Sequence, residues 1–160
     1  LRGLVGSEMC IRDSAKTIGD EMTAAARRKG YRFENDVCKM LRDDLGSVVD
    51  APIRRVLDQY REGELGDIVI PPFVIECKRY QPKPEPPGEW WQQVWAATEK
   101  AEQDHGKLQP FYPVLIWKFD RRPIHTMVPL NLISPNYPKR FEYTAQLTWD
   151  NLMMVMREAL

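Results

Sequence analysis

The stretch Gly66-Asp67-Ile68-Val69-Ile70-Pro71-Pro72-Phe73-Val74-Ile75-Glu76-Cys77-Lys78 decides how the chain is read. Its β-branched and aromatic residues predict two strands, Asp67 to Ile70 and Phe73 to Tyr80, joined by Pro71-Pro72. A two-residue turn there sets Asp67 opposite Glu76, with Cβ atoms about 4.5–5.5 Å apart. Two opposed carboxylates destabilise a sheet. A divalent cation removes that penalty, and carboxylate oxygens suit Mg²⁺ or Mn²⁺. Lys78 lies two residues beyond Glu76 and so points to the same face. An ammonium at that point can orient or deprotonate an attacking water, or stabilise charge on a pentacoordinate phosphate. The backbone carbonyl of Cys77, between the two, is a natural further ligand. Pro-Pro is a poor hairpin turn by sequence preference, so a register shifted by one residue, or a longer loop, is the alternative.

Upstream of the hairpin, Phe33, Val37, Met40 and Leu41 recur at helical spacing and predict a helix over residues 22–45, stopped by Gly46. Residues 53–58 predict a short strand, and Glu62 to Leu65 a polar connection. Downstream, the proline-rich run 81–88 is a loop. Residues 89–104 return to helix, with Trp91, Val94, Trp95 and Thr98 on one side. Residues 112–119 predict a central strand, Asp120 to Pro123 a turn, and Ile124 to Val128 a strand pairing back. Residues 131–145 read as irregular and 148–159 as a last helix. The order α-β-β-β-α-β-β-α predicts an α/β (α+β) fold, a mixed central sheet flanked by helices, in one domain over 22–160.

The chain has 160 residues, 43% hydrophobic, with equal basic and acidic counts of 23. That length and apolar content suit one folded domain and exclude a disordered chain. No apolar run approaches the roughly 18 residues of a membrane helix. Neutrality argues against coating nucleic acid by bulk charge and leaves room for a local basic surface. Cys10, Cys38 and Cys77 form no close pair, which points to a reducing compartment such as the cytoplasm. His105 and His125 have no zinc-ligand spacing to a cysteine, and no Walker loop, GxGxxG or nucleophile elbow occurs. The opening LVGSEMCIRDS (4–14) resembles the translation of a transposon-type sequencing adapter, the alternative being a real short extension. Residues 1–21 are therefore expected to be artefactual or disordered, with the start lost or near Ala15 or Met22. Setting 4–14 aside removes Glu8, Arg12 and Asp13; with Arg2 also gone, neutrality survives.

Gly66-Asp67, eight intervening residues and Glu76-Cys77-Lys78, after a helix containing Gly30-Tyr31-Arg32-Phe33-Glu34, resemble the signature of the PD-(D/E)XK nuclease superfamily. Gly66 stands in place of the first proline of that name. The resemblance runs from about Lys29 to Trp117 and is nearest to small phage and bacterial Holliday-junction-resolvase-like endonucleases. It implies a helix, three strands, a helix and a strand around a site that hydrolyses DNA with Mg²⁺, Mn²⁺ substituting. Asp67, Glu76 and Glu34 would then be metal ligands, with Lys78 and a glutamine of the second helix completing the catalytic set. Glu34 sits at the edge of the Val37–Leu41 stripe, so it either joins the site or pairs with Arg27, Arg28 or Arg32. Gln92 and Gln93 compete for the glutamine position, and Gln93 shares the more inward face. Trp90, Trp91 and Trp95 at helical spacing are core by default; Trp90 or Trp91 as a wedge at a DNA branch is the alternative. Arg27-Arg28-Lys29, Arg54-Arg55 and Arg79 are candidate DNA contacts, and solvated surface otherwise. Resolvases imply branched DNA and a homodimer, for which the apolar 152–156 segment offers an interface, or simply a cover for the sheet. The rivals are a restriction- or replication-type nuclease of the same fold and a catalytically silent nucleic-acid-binding domain.

Overall fold

The decisive hairpin forms in the register expected from its sequence. A computed structural model describes residues 5–56, 66–81, 85–106 and 109–160, with side chains from residue 24 onward. Strand β1 (Ile68–Ile70) pairs antiparallel with β2 (Phe73–Tyr80) through Ile68–Ile75, Val69–Val74 and Ile70–Phe73. The Pro71-Pro72 peptide is cis. A cis proline at the third position of a four-residue turn is a type VI turn, which lies outside the Asn-Gly preferences of ordinary hairpins. Gly66 explains the close entry into β1. A β-carbon there would lie 2.6 Å from Val74 Cγ1 and 3.0 Å from the Ile75 carbonyl oxygen.

Around this hairpin the described strands form one mixed five-stranded sheet in the order β1-β2-β3-β4-β5. Strand β3 (Tyr112–Phe119) runs parallel to β2, and β4 (Ile124–Pro129) and β5 (Thr144–Leu147) follow antiparallel. Helix α2 (Gly88–Asp104) makes the crossover between the parallel pair. A short α3 (Leu130–Ile133) and the closing α4 (Trp149–Ala159) complete the chain. The expected fold class therefore holds: a mixed sheet with helices on its faces.

Alternating side chains divide the core into two layers. Phe73, Ile75 and Cys77 face a cluster built with Phe33, Val37, Leu41 and Leu45 of α1 (Val5–Leu45) and with Leu152, Met153 and Met156 of α4. Val74, Leu115, Trp117 and Phe119 face Trp90, Trp91, Val94 and Ala97 of α2. Burying each such large apolar side chain stabilises the fold by about 1.5–3 kcal/mol relative to leaving it exposed. Thr148 caps α4 by accepting a hydrogen bond from the Asn151 N–H at 3.3 Å. The apolar 152–156 segment thus covers the sheet through three of its residues, with Met154 left exposed.

Three local expectations change. Helix α1 ends at Leu45 as expected but begins at Val5, because nothing in residues 5–21 breaks a helix as proline would. The strand expected at 53–58 supplies a single bridge, Arg55 with Ile68, and its residues 57–58 lie outside the described residues, as does the Glu62 to Leu65 connection. The stretch 131–145 contains the last three residues of α3 and the start of β5. Its strand alternates Thr144, Ala145, Gln146 and Leu147, but four residues are too short a run to announce a strand by alternation alone. The tryptophans follow their default expectation: Trp90 and Trp91 are buried in the α2 layer, and Trp91 donates its indole N–H to the Phe141 carbonyl at 3.0 Å. Neither ring stands out as a wedge. No helix among the described residues is long and apolar enough to cross a membrane.

Gly66→Ala tests the close approach of β1 to β2. The clash should lower the unfolding free energy by about 1–3 kcal/mol in urea melts. A stability equal to that of the parent would show that the hairpin entry tolerates a side chain.

Candidate active site

Strand β2 carries the centre of the site because it is an interior strand with a different environment on each face. Glu76 and Lys78 share the parity of Val74 and point into the α2 layer. Their parallel neighbours on β3 are Leu115 and Trp117, both buried. Glu76 is therefore a carboxylate beside an apolar wall, 2% exposed. Asp67, one residue before β1 and opposite Glu76 by register, is 6% exposed. Its Oδ2 accepts the Cys77 backbone N–H at 2.7 Å. The hairpin thus ties Asp67 to the strand that bears Glu76 and Lys78. The Cys77 group that reaches Asp67 is its N–H, whereas the sequence drew attention to its carbonyl.

Lys78 bridges Glu76 and α2. Its Nζ lies 2.7 Å from Glu76 Oε1 and donates to Gln93 Oε1 at 2.8 Å. Of the two glutamines that competed for this position, Gln93 is the one that meets Lys78. Glu34 enters from α1, where it pairs with Arg55. The Arg55 guanidinium lies over the Tyr31 ring at 4.2 Å from its centroid. None of Arg27, Arg28 and Arg32, the helix neighbours considered for Glu34, is its ion-pair partner among the described residues.

The electrostatics follow from burial and from three like charges. Burial first, then the charge of Asp67, raises the Glu76 carboxyl to about 7, with Lys78 opposing. The same two causes raise Glu34, against the pull of Arg55. Burial pulls Lys78 down, but the charge and hydrogen bond of Glu76 outweigh it and leave the ammonium held above its ordinary range. Burial pushes the Cys77 and Cys38 thiols up, so both behave as core groups.

Glu34, Arg55, Lys78 and Arg79 line a cleft of about 710 Å³, together with Arg27 and Lys29 of α1. Arg28 lines an adjoining hollow. Arg54 is exposed and lines neither. Asp120, in the β3–β4 turn, pairs with Lys29 and stands 3.5 Å from Arg79 Nε. That anchor is not readable from the sequence, since a turn Asp is common and Lys29 lies 91 residues away. Tyr31 was visible only as part of the helix motif, and its place over Arg55 depends on the fold.

Asp67, Glu76 and Glu34 offer hard oxygen donors only, a set that could hold Mg²⁺ or Mn²⁺ and suits no soft metal. Burial, followed by the charge of Asp67, disfavours the ionised Glu76 carboxyl against the pull of Lys78. Among the described residues, no three acidic, histidine or cysteine side chains converge into a ready cation cage. Each carboxylate is instead engaged by a positive group or an N–H.

A family model described as "Phage putative PDDEXK endonuclease" matches residues 25–152. The chain belongs to this family. No curated protein and no solved structure matches it.

Glu76 makes stability depend on pH. Its folded-state carboxyl titrates at about 7, above its ordinary 4.5. Folding therefore favours the protonated form, and stability is lost as pH rises through that window. In EDTA, Glu76→Gln should remove much of this loss. Melting temperatures at pH 5 and pH 8 should differ less in the variant than in the parent. An unchanged difference would refute the perturbed carboxyl.

Proposed function

We propose that this phage PDDEXK endonuclease family member is a Mg²⁺-dependent DNA endonuclease, Mn²⁺ substituting, that hydrolyses phosphodiester bonds in the Lys78 cleft. The observation that carries the proposal is the buried Asp67–Glu76 pair with Lys78 beside it, at the side of a cation-lined cleft. A family of endonucleases implies a nucleic-acid substrate. Asp67 and Glu76 would hold the cation, with Glu34 as a third donor. When bound, a divalent cation neutralises the scissile phosphate and makes water a better nucleophile.

The chain's own groups supply the rest. Glu76 and Gln93 fix the Lys78 ammonium from two sides, so its position is set before substrate arrives. Because its pKa is raised, Lys78 keeps its proton at neutral pH. It therefore acts as a hydrogen-bond donor and positive charge, facing the negative charge that develops as water adds to phosphorus and one P–O bond breaks. Of the roles that the sequence left open, orienting water, deprotonating it and stabilising charge on the phosphate, the protonated state favours the first and third over the second. Arg55, Arg79 and Arg27 present cations to the flanking backbone. A four-way junction is proposed as the preferred substrate, cut by a homodimer, on the strength of the sequence resemblance. The rival of the same fold, a restriction- or replication-type nuclease, differs only in that preference.

Cleavage of a labelled four-way junction and a matched linear duplex, with Mg²⁺, Mn²⁺ or EDTA, tests the proposal. Symmetric nicks on the junction are expected, absent with EDTA and reduced at least ~10²-fold in Lys78→Ala. Equal cutting of both substrates would remove the branch preference and keep the nuclease. Folded protein that binds DNA and cuts neither would overturn the catalytic claim and leave a binding domain.

A further inference from the structure

Beside the catalytic cleft lies a second hollow of about 450 Å³, formed by α1 and the end of β2. It shares Ala25, Lys29 and Arg79 with the cleft, so the two adjoin. Four cations line it, Arg28, Lys29, Arg32 and Arg79, against one carboxylate, Asp36. The chain as a whole is neutral. Positive charge is therefore gathered here rather than spread.

Several features set these cations apart from structural ones. Arg28 and Arg32 are four residues apart on an exposed helix face, a spacing at which like charges destabilise a helix. Arg32 has no ion-pair partner among the described residues, and Arg28 makes only a long 3.4 Å bond to the Ala24 carbonyl of its own helix. Arg79 Nε is buried yet makes no hydrogen bond, reaching Asp120 only at 3.5 Å. By contrast, Arg42 donates to the Ile53 carbonyl at 2.7 Å and Arg157 to the Asp44 carbonyl at 2.9 Å, contacts that tie segments together. Arg28 and Arg32 do no comparable structural work, whereas Lys29 ties α1 to the β3–β4 turn through Asp120.

We propose that this hollow is a phosphate subsite, in which Arg28 and Arg32 hold a backbone phosphate of the substrate nucleic acid flanking the one at Lys78. Arg79 and Lys29 border both hollows and link them into one track, with Asp120 positioning the two side chains. The subsite rests on the nuclease reading for the identity of its ligand. An anion between Arg28 and Arg32 relieves their repulsion and collects charge that the fold leaves uncompensated. The subsite sets affinity and placement of the strand and takes no part in bond breaking.

The test is the salt dependence of binding to a labelled linear duplex in EDTA, where no cleavage intervenes. Losing one phosphate contact reduces the slope of log K against log salt by about 0.9. The Arg28→Ala, Arg32→Ala double variant should show that reduction. Arg140→Ala, an exposed cation lining neither hollow, should not. With Mg²⁺, the double variant should raise KM several-fold at unchanged kcat. A slope equal to that of Arg140→Ala overturns the subsite, whether or not the protein cuts DNA. A reduced slope in a protein that never cuts keeps the subsite and overturns the nuclease reading instead.

Discussion

The repulsion between two buried carboxylates, Asp67 and Glu76, is the constraint around which the rest of the site is arranged. Opposed like charges in a sheet are unfavourable, and burial beside Leu115 and Trp117 deepens the effect. The fold offsets it locally: the Cys77 N–H engages Asp67, and Lys78 engages Glu76. These contacts exist only in one strand register. A one-residue slip would turn Glu76 and Lys78 into the α1 layer, among Phe73 and Ile75. Gly66, with no side chain to meet Val74 and the Ile75 carbonyl, permits the close approach that this register requires.

Much of this was legible in the sequence because it is local. The hairpin pairing follows from turn length and the period-two alternation alone, and so does the shared face of Glu76 and Lys78. The α1 stripe Phe33, Val37, Leu41 also announced itself, and Gly46 marked its end. The position of Glu34 at the edge of that stripe was readable. Its partner was not, because Arg55 reaches it across a loop and depends on the Arg55–Ile68 bridge. Asp120 and the Lys29 contact were invisible for the same reason. Strand β5 was missed because its alternation spans only the four residues Thr144 to Leu147, and pairing with β4 together with the packing of Ala145 and Leu147 on the core places them. Trp90 offered two fates by composition, and the packing against Phe119 and Tyr80 decides for the core.

Net charge was the least informative quantity, and the structure shows why. Equal counts of acids and bases coexist with a helix face that turns Arg27, Arg28, Lys29 and Arg32 toward two joined hollows. At the site two acidic residues, Asp67 and Glu76, are buried, while Arg27, Arg28 and Arg32 stay exposed at the rim. A buried negative centre with a positive rim suits a substrate that carries phosphates and a reaction that needs a cation between enzyme and phosphate.

Calorimetric titration of the DNA-free protein with Mn²⁺ tests most directly whether the carboxylate pair exists to hold a cation. Saturable binding to the parent, lost in both Asp67→Asn and Glu76→Gln while each variant remains folded, is the predicted result. Binding that persists in both variants, or none in the parent, would contradict a cation held by Asp67 and Glu76.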